Sequence, residues 1–175
     1  MNIRVELSKI IEAMEFQSLD GSSYLNKTNA ETVTFSTEEF QAADNGDSLD
    51  DYPEWQHDNL RLTRKILAEE GGSNNRFIGL PTKFDIDEYR IMEKFCFSVR
   101  DEKIAEVLYR AIKGSGAFRR FKDSVHQLGV AEDWYEYRNE TIKQVAIEWC
   151  EQNDIAYVDD LTNRGRQTIN QKDSN

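Results

Sequence analysis

The sequence predicts an α+β fold, with a small antiparallel sheet built from an N-terminal hairpin plus one further strand, followed by a mainly helical C-terminal half. Two strand-forming runs, Ser23-Tyr24-Leu25 and Thr32-Val33-Thr34-Phe35, are separated by turn chemistry from Asn26 to Ala30. A third short run, Arg76-Phe77-Ile78-Gly79-Leu80, is closed by Pro81. Beyond Asp85 the apolar residues recur at helical spacing almost to Asp160.

Taken in order, Val5, Leu7, Ile10, Ile11 and Met14 mostly follow helical spacing and predict a short first helix. The hairpin comes next. The stretch from Asp44 to Asp51 holds Asn45-Gly46 and four aspartates without apolar periodicity, so residues 41–52 read as a solvated loop. Pro53 then stands where a first helical turn tolerates proline, and a helix runs to about Glu70. Trp55, near its start with His57, is placed to cover the sheet. Gly71 to Asn75 end that helix, and the strand at Arg76 to Leu80 brings the expected count to three.

Four helices are expected after that strand. Asp85 and Glu88 have capping-box spacing, and Ile91, Met92, Phe95 and Cys96 form a buried stripe behind them. Asp101 caps the clearest helix, in which Ile104, Val107, Leu108, Ala111 and Ile112 share one face, and Gly114 ends it. Phe118, Phe121, Val125 and Leu128 form the next stripe, with Gly129 as its C-cap, and Trp134 to Cys150 carries Ile142, Val145, Ala146 and Trp149. After Asp160 the chain turns to Asn, Arg, Gln, Lys and Ser with almost no apolar anchor. The expected organisation is therefore one domain over residues 1–160 and a disordered polar tail over 161–175.

Composition narrows the function classes. At 175 residues, 38% hydrophobic and 31% charged, the chain is polar but keeps the aromatics that a core needs. A formal charge of −11 argues against the whole molecule attracting nucleic acid, so any polyanion site must be local. The same acid has a further reading, mimicry of nucleic acid, although solubility and helix dipoles already account for it. Cys96 and Cys150 fall on helical patterns among bulky apolar neighbours, where a free thiol acts as a small hydrophobe. Acid appears early in Met1 to Glu6, no long apolar segment follows, and a cytoplasmic location is expected.

Four blocks point to a known group. They are Tyr52-Pro53-Glu54-Trp55, Asp87 to Glu93, Gly116-Ala117-Phe118-Arg119-Arg120-Phe121-Lys122-Asp123 and Trp134-Tyr135-Glu136-Tyr137-Arg138. In these blocks and their order the chain resembles uncharacterised protein family 0158, a bacterial group without an assigned activity. The Gly-Ala-Phe-Arg-Arg-Phe block is the most specific of them. The resemblance spans most of the chain, leaves out the polar stretch after Asp160, and implies no catalytic residues.

Chemistry is concentrated between Arg110 and Lys122, where Arg110, Lys113, Arg119, Arg120 and Lys122 occur without an acid among them. Ser115 and Gly116 open a helix whose amides and partial positive charge suit a phosphate or carboxylate, and Arg119 and Arg120 can clamp it bidentately. The bland reading makes Gly114 a C-cap and Ser115 an N-cap, with the arginines paired to Asp85, Asp87, Glu88 or Glu136. A nucleotide loop is excluded by context, because a helix rather than a strand precedes the glycines. Phe118 and Phe121 match the spacing of Val125 and Leu128, which assigns both to the core rather than to base stacking.

Trp134, Tyr135, Tyr137 and Arg138 form a second candidate, an aromatic groove for a peptide or ring, against which stands packing on the preceding helix. No metal or cofactor is expected, since His57 and His126 stand alone and no Cys-x-x-Cys or His-x-x-x-His spacing occurs. Nucleophilic catalysis lacks a Gly-x-Ser-x-Gly elbow or a base beside either cysteine. Asp85, Asp87, Glu88 and Glu93 offer paired carboxylates for a remote enzymatic reading, but helix capping accounts for them too. The expectation is a non-enzymatic cytosolic module that binds a protein or an anionic ligand around Ser115 to Lys122. Its alternative is a protein binding nucleic acid or a nucleotide phosphate, with Arg164, Arg166 and Lys172 as an auxiliary arm and no role at a membrane.

Overall fold

The computed structural model describes residues 4–17, 21–69 and 76–161. The chain divides into two compact units, one of Met1–Lys83 with Ala146–Asn175, the other of Phe84–Val145. The expected α+β class is what the chain adopts, with a three-stranded antiparallel sheet and a helical C-terminal half.

The first unit opens on β1 (Val5–Glu6), which pairs in parallel with β5 (Tyr157–Val158), and Val5 N–H donates to the Ala156 carbonyl at 3.0 Å. Helix α1 (Leu7–Phe16) then buries Leu7, Ile10, Ala13 and Met14. The hairpin of β2 (Gly21–Asn26) and β3 (Glu31–Ser36) is joined by β4 (Phe77–Gly79) in the order β3-β2-β4, with Tyr24 opposite Val33 and Leu25 opposite Ile78. Alternation turns Ser23, Leu25 and Phe35 inward. Ser23 tolerates that position because its hydroxyl lies 3.1 Å from the Ala13 carbonyl and 2.7 Å from Thr34 Oγ1.

Here three expectations give way. Residues 37–45 of the sequence, partly assigned to a loop, form α2 (Thr37–Asn45), started by a full capping box between Ser36 and Glu39 and ended by Gly46 at φ 72°. Only Phe40, Ala42 and Ala43 supply its apolar side, too few to set a period. The strand count among the described residues is five rather than three, because β1 and β5 are two residues each and find one another across almost the whole chain. Trp55 does not cover the sheet: it is 74% exposed, on a single 3-10 turn (Glu54–Gln56) before α3 (His57–Glu69). Phe35, Ile66 and Phe77 form the buried centre beside the sheet, with Tyr24, Val33, Phe40 and Leu62 packed against it.

A short turn of helix, α4 (Lys83–Ile86), precedes α5 (Glu88–Ser98), α6 (Glu102–Ala111), α7 (Ala117–Gln127) and α8 (Ala131–Gln152). Five helices therefore follow β4 among the described residues, one more than expected, and Asp85 lies inside the extra one. The cap of α5 is instead Asp87, which at φ 45° accepts from Arg90 N–H at 3.1 Å. Ile91, Met92, Phe95 and Cys96 are buried as their spacing predicts, and Asp101 caps α6 through Lys103 and Ile104 N–H.

The second unit is centred on rings. Phe121 meets Trp134 at 4.7 Å and Phe95 at 6.2 Å, and Phe95 meets Trp134 at 5.3 Å and Tyr137 at 5.5 Å. Most of these contacts are edge-to-face or tilted, the arrangement that opposes a ring's positive rim to its neighbour's negative face. Cys96 and Cys150 are free and buried, and burial pushes both thiols up to about 11. The polar stretch expected after Asp160 lies, from residue 162 onward, outside the described residues.

Candidate functional site

Helix α6 stops at Ala111 because the chain passes into Gly114, at φ 76°, and Gly116, at φ 75°, before α7 begins. That leaves the last carbonyls of α6 and those of the turn without helical partners. Arg120 supplies them. Its guanidinium folds back over the turn, with Nε donating to the Ala111 carbonyl at 3.1 Å and the two terminal nitrogens donating to the carbonyls of Lys113, Gly114 and Ser115. Gly116 is tied to this arrangement twice, since a Cβ there would lie 3.2 Å from the Arg120 guanidinium and its backbone is left-handed.

Arg120 is thus consumed inside the chain, but by carbonyl oxygens and not by the carboxylates expected. Ser115 is not the N-cap of α7 either: Gly116 holds that position, without a side-chain cap. Two further cations are engaged. Arg110 pairs with Glu106 one helical turn away, and Lys113 Nζ sits 3.9 Å over the Tyr109 ring and 4.0 Å from Glu93. Contact with Tyr109 first, and the carboxylate of Glu93 after it, hold the Lys113 ammonium above its ordinary range.

Arg119 and Lys122 remain. Both are exposed and have no ion pair among the described residues. Beside them Phe118 is 55% exposed, which corrects its assignment to the core. Ala117 takes the inward place one residue earlier, so that Ala117, Phe121 and Val125, spaced by four, form the buried row. The outward face of α7 consequently shows Phe118, Arg119 and Lys122, with His126 a turn further on, 3.4 Å from the Tyr135 hydroxyl.

The second candidate group is split by burial. Trp134 is buried against Phe121 of the preceding helix, Tyr137 is half-buried against Phe95, and Tyr135 is exposed. Arg138 is held by Glu88, which accepts from its Nε and one terminal nitrogen. Of the four carboxylates suggested for catalysis, Asp87 caps α5, Glu88 holds Arg138, Glu93 approaches Lys113, and Asp85 is in the first turn of α4.

A surface cleft of about 590 Å³ lies where the end of α5 meets the starts of α6 and α8. Its charged lining is Arg100, Asp101, Asp133 and Glu136, and its apolar lining includes Phe95, Ile104, Val130 and Tyr137. Sequence reading missed this site, because acids at helix starts look alike whether they cap or bind. Among the described residues no group of three or more His, Cys, Asp and Glu is arranged to hold a metal ion. No helix among them is long and apolar enough to cross a membrane.

A family model described as an uncharacterised protein family (UPF0158) matches residues 3–169. The chain belongs to that family. The UPF0158 match runs past Asp160, so part of the polar stretch that the resemblance left out falls within the family's span. One similar relative, UPF0158 protein PA5073 of Pseudomonas aeruginosa, is 32% identical over 66 residues, which is 37% of this chain and 43% of the relative. That match spans less than half the relative's length. No solved structure matches this UPF0158 chain.

Proposed function

We propose that the protein is a non-enzymatic bacterial cytosolic binding module, and that its partner-facing surface is the outward face of α7. One observation carries this reading. Once Arg110, Lys113 and Arg120 have found partners, Arg119 and Lys122 stay exposed near Phe118, itself 55% exposed, in a chain of net charge −11. An exposed ring with two cations beside it offers an apolar anchor next to anion-pairing groups, which suits an acidic protein segment. A rim charge acts on encounter and on salt sensitivity more than on tightness.

Fluorescence anisotropy with a labelled poly-glutamate peptide at low salt tests it. Binding is expected to weaken with salt and to vanish in Arg119→Glu with Lys122→Glu, while circular dichroism stays unchanged. Equal binding by that variant would end the proposal.

The exposure of Phe118 also supports a second reading, single-stranded nucleic acid, because a ring free of the core can stack on a base. An unstructured RNA oligonucleotide in the same assay separates the two. Tighter capture of RNA than of poly-glutamate, lost in Phe118→Ala, would replace the acidic-peptide reading.

A further inference from the structure

The open polar groups of the first unit belong to its backbone. Both faces of the three-stranded sheet are covered. On one, Ser23 bonds the Ala13 carbonyl of α1 and Thr34; on the other, Val33 and Phe35 pack with Tyr24, Ile66 and Phe77.

The two edges differ. On β4, Lys27 N–H donates to the Arg76 carbonyl at 2.7 Å and Leu80 N–H to the Ser23 carbonyl at 2.8 Å, a phase that turns Phe77 and Gly79 outward. The indole of Trp149 covers that edge by donating to the Gly79 carbonyl at 3.0 Å. On the other side of β2 the phase is reversed, so Ser22, Tyr24 and Asn26 bond Phe35, Val33 and Glu31. Thr32, Thr34 and Ser36 therefore aim their backbone groups out of the sheet. Ser36 N–H is given to Glu39 at 2.9 Å, whereas no backbone partner reaches Thr32 or Thr34 among the described residues.

An open edge of β-branched residues is a template for another strand, and no proline, lysine or bulge interrupts Glu31–Ser36. The spacing of the open groups selects that strand. Two copies of β3 placed antiparallel about a two-fold axis through Val33 set Thr32 against Thr34 in both directions, so each open N–H meets an open C=O. Shifting the register by two residues either way breaks this match. It brings in Ala30, in the left-handed turn at φ 59°, or Ser36, whose N–H is already taken. In the central register Val33 faces its twin across a close, non-hydrogen-bonded pair, which extends the apolar cluster of Phe35, Ile66 and Phe77.

We propose that β3 pairs with β3 of a second copy, giving a closed two-fold dimer whose sheet runs β4-β2-β3-β3-β2-β4. Trp149 ends the sheet at both outer edges, so growth stops at two chains.

Analytical ultracentrifugation of the full chain over the micromolar to millimolar range tests this, with amide hydrogen exchange followed by NMR at both ends of that range. The mass is expected to rise from one chain to two and no further. Exchange of the Thr32 and Thr34 amides is expected to slow at the higher concentration, while that of Val33, already bonded to Tyr24, changes little. Because each chain carries a charge of −11, association is expected to strengthen as salt rises, opposite to capture of poly-glutamate by α7. Thr32→Pro removes an outward N–H and leaves the bonds to β2 in place; it is expected to weaken the dimer at least about tenfold with circular dichroism unchanged. The exchange pattern decides should that variant misfold. A single-chain mass at every concentration, species larger than a dimer, a dimer without slowed exchange at Thr32 and Thr34, or a folded Thr32→Pro chain that dimerises as the parent does would overturn the proposal.

Discussion

The sheet-bearing unit and the helical unit use their polar residues differently. In the first, the buried side chains of Ser23, Gln17 and Glu39 are matched to partners inside the unit, the Ala13 carbonyl and Thr34, the Pro81 carbonyl, and Ser36 with Asn59, and Arg64 Nε is the buried exception among the described residues. In the second, the interior is given over to rings, and several charged side chains are left at the surface without an ion pair among the described residues: Arg119 and Lys122 on α7, Asp133 and Glu136 beside the cleft. Polarity that is satisfied internally specifies a fold, whereas polarity that is left over is available to a ligand. Candidate chemistry therefore gathers in the helical unit.

The largest test of this contrast lies in the two cores. Phe121→Ala removes the ring between Phe95 and Trp134, and Phe35→Ala removes the corresponding ring beneath the sheet; both are almost fully buried. Each is expected to cost about 3–5 kcal/mol by chemical denaturation. Hydrogen exchange should place the loss of protection mainly in the unit that carries the substitution, and uniform loss over both would break the contrast.

A finer comparison uses two glycines. Gly46 and Gly116 have nearly equal backbone angles, φ 72° and φ 75°, but a Cβ at Gly46 meets nothing within 4 Å while one at Gly116 meets Arg120 at 3.2 Å. Alanine at either should cost about 1–2 kcal/mol for the left-handed backbone alone. The excess at Gly116 measures the Arg120 contact, and it should disappear when Arg120 is already alanine. Smaller still is Ser36→Ala, which removes the cap of α2 and is expected to cost about 1 kcal/mol in thermal melts, with no effect on the helical unit.

The two thiols, one in each unit, give a pH test. Burial keeps both protonated in the folded chain up to about 11, whereas an exposed thiol ionises near 9.0. Between those values the folded state binds more protons than the unfolded state, so stability falls as pH rises through that window. Denaturation midpoints should decline from pH 9 to pH 11, and Cys96→Ala with Cys150→Ala should flatten that part of the decline.

What the sequence discloses follows from how local each signal is. Helices α5 to α8 were legible because three or more apolar side chains repeat at one period within each, and the hairpin because two strand-forming runs flank turn residues. The α2 helix was announced only by Ser36 and Glu39, and two-residue strands that pair across the chain leave no local pattern at all. At the candidate site, the basic stretch from Arg110 to Lys122 was visible, but not which members were free. Charge can be read from letters; whether Arg120 turns back onto Ala111, or whether Ala117 rather than Phe118 faces the core, depends on where Gly116 sets the phase of α7.

Those adjacent arginines carry the central claim, that the fold consumes Arg120 and leaves Arg119 for a partner. The direct measurement is the denaturation midpoint of Arg119→Ala beside that of Arg120→Ala. Arg120→Ala is expected to lose on the order of 1 kcal/mol, since its bonds to the Ala111 and neighbouring carbonyls face solvent, and Arg119→Ala to stay within about 0.5 kcal/mol of the parent. Equal losses, or a larger loss at Arg119, would contradict it.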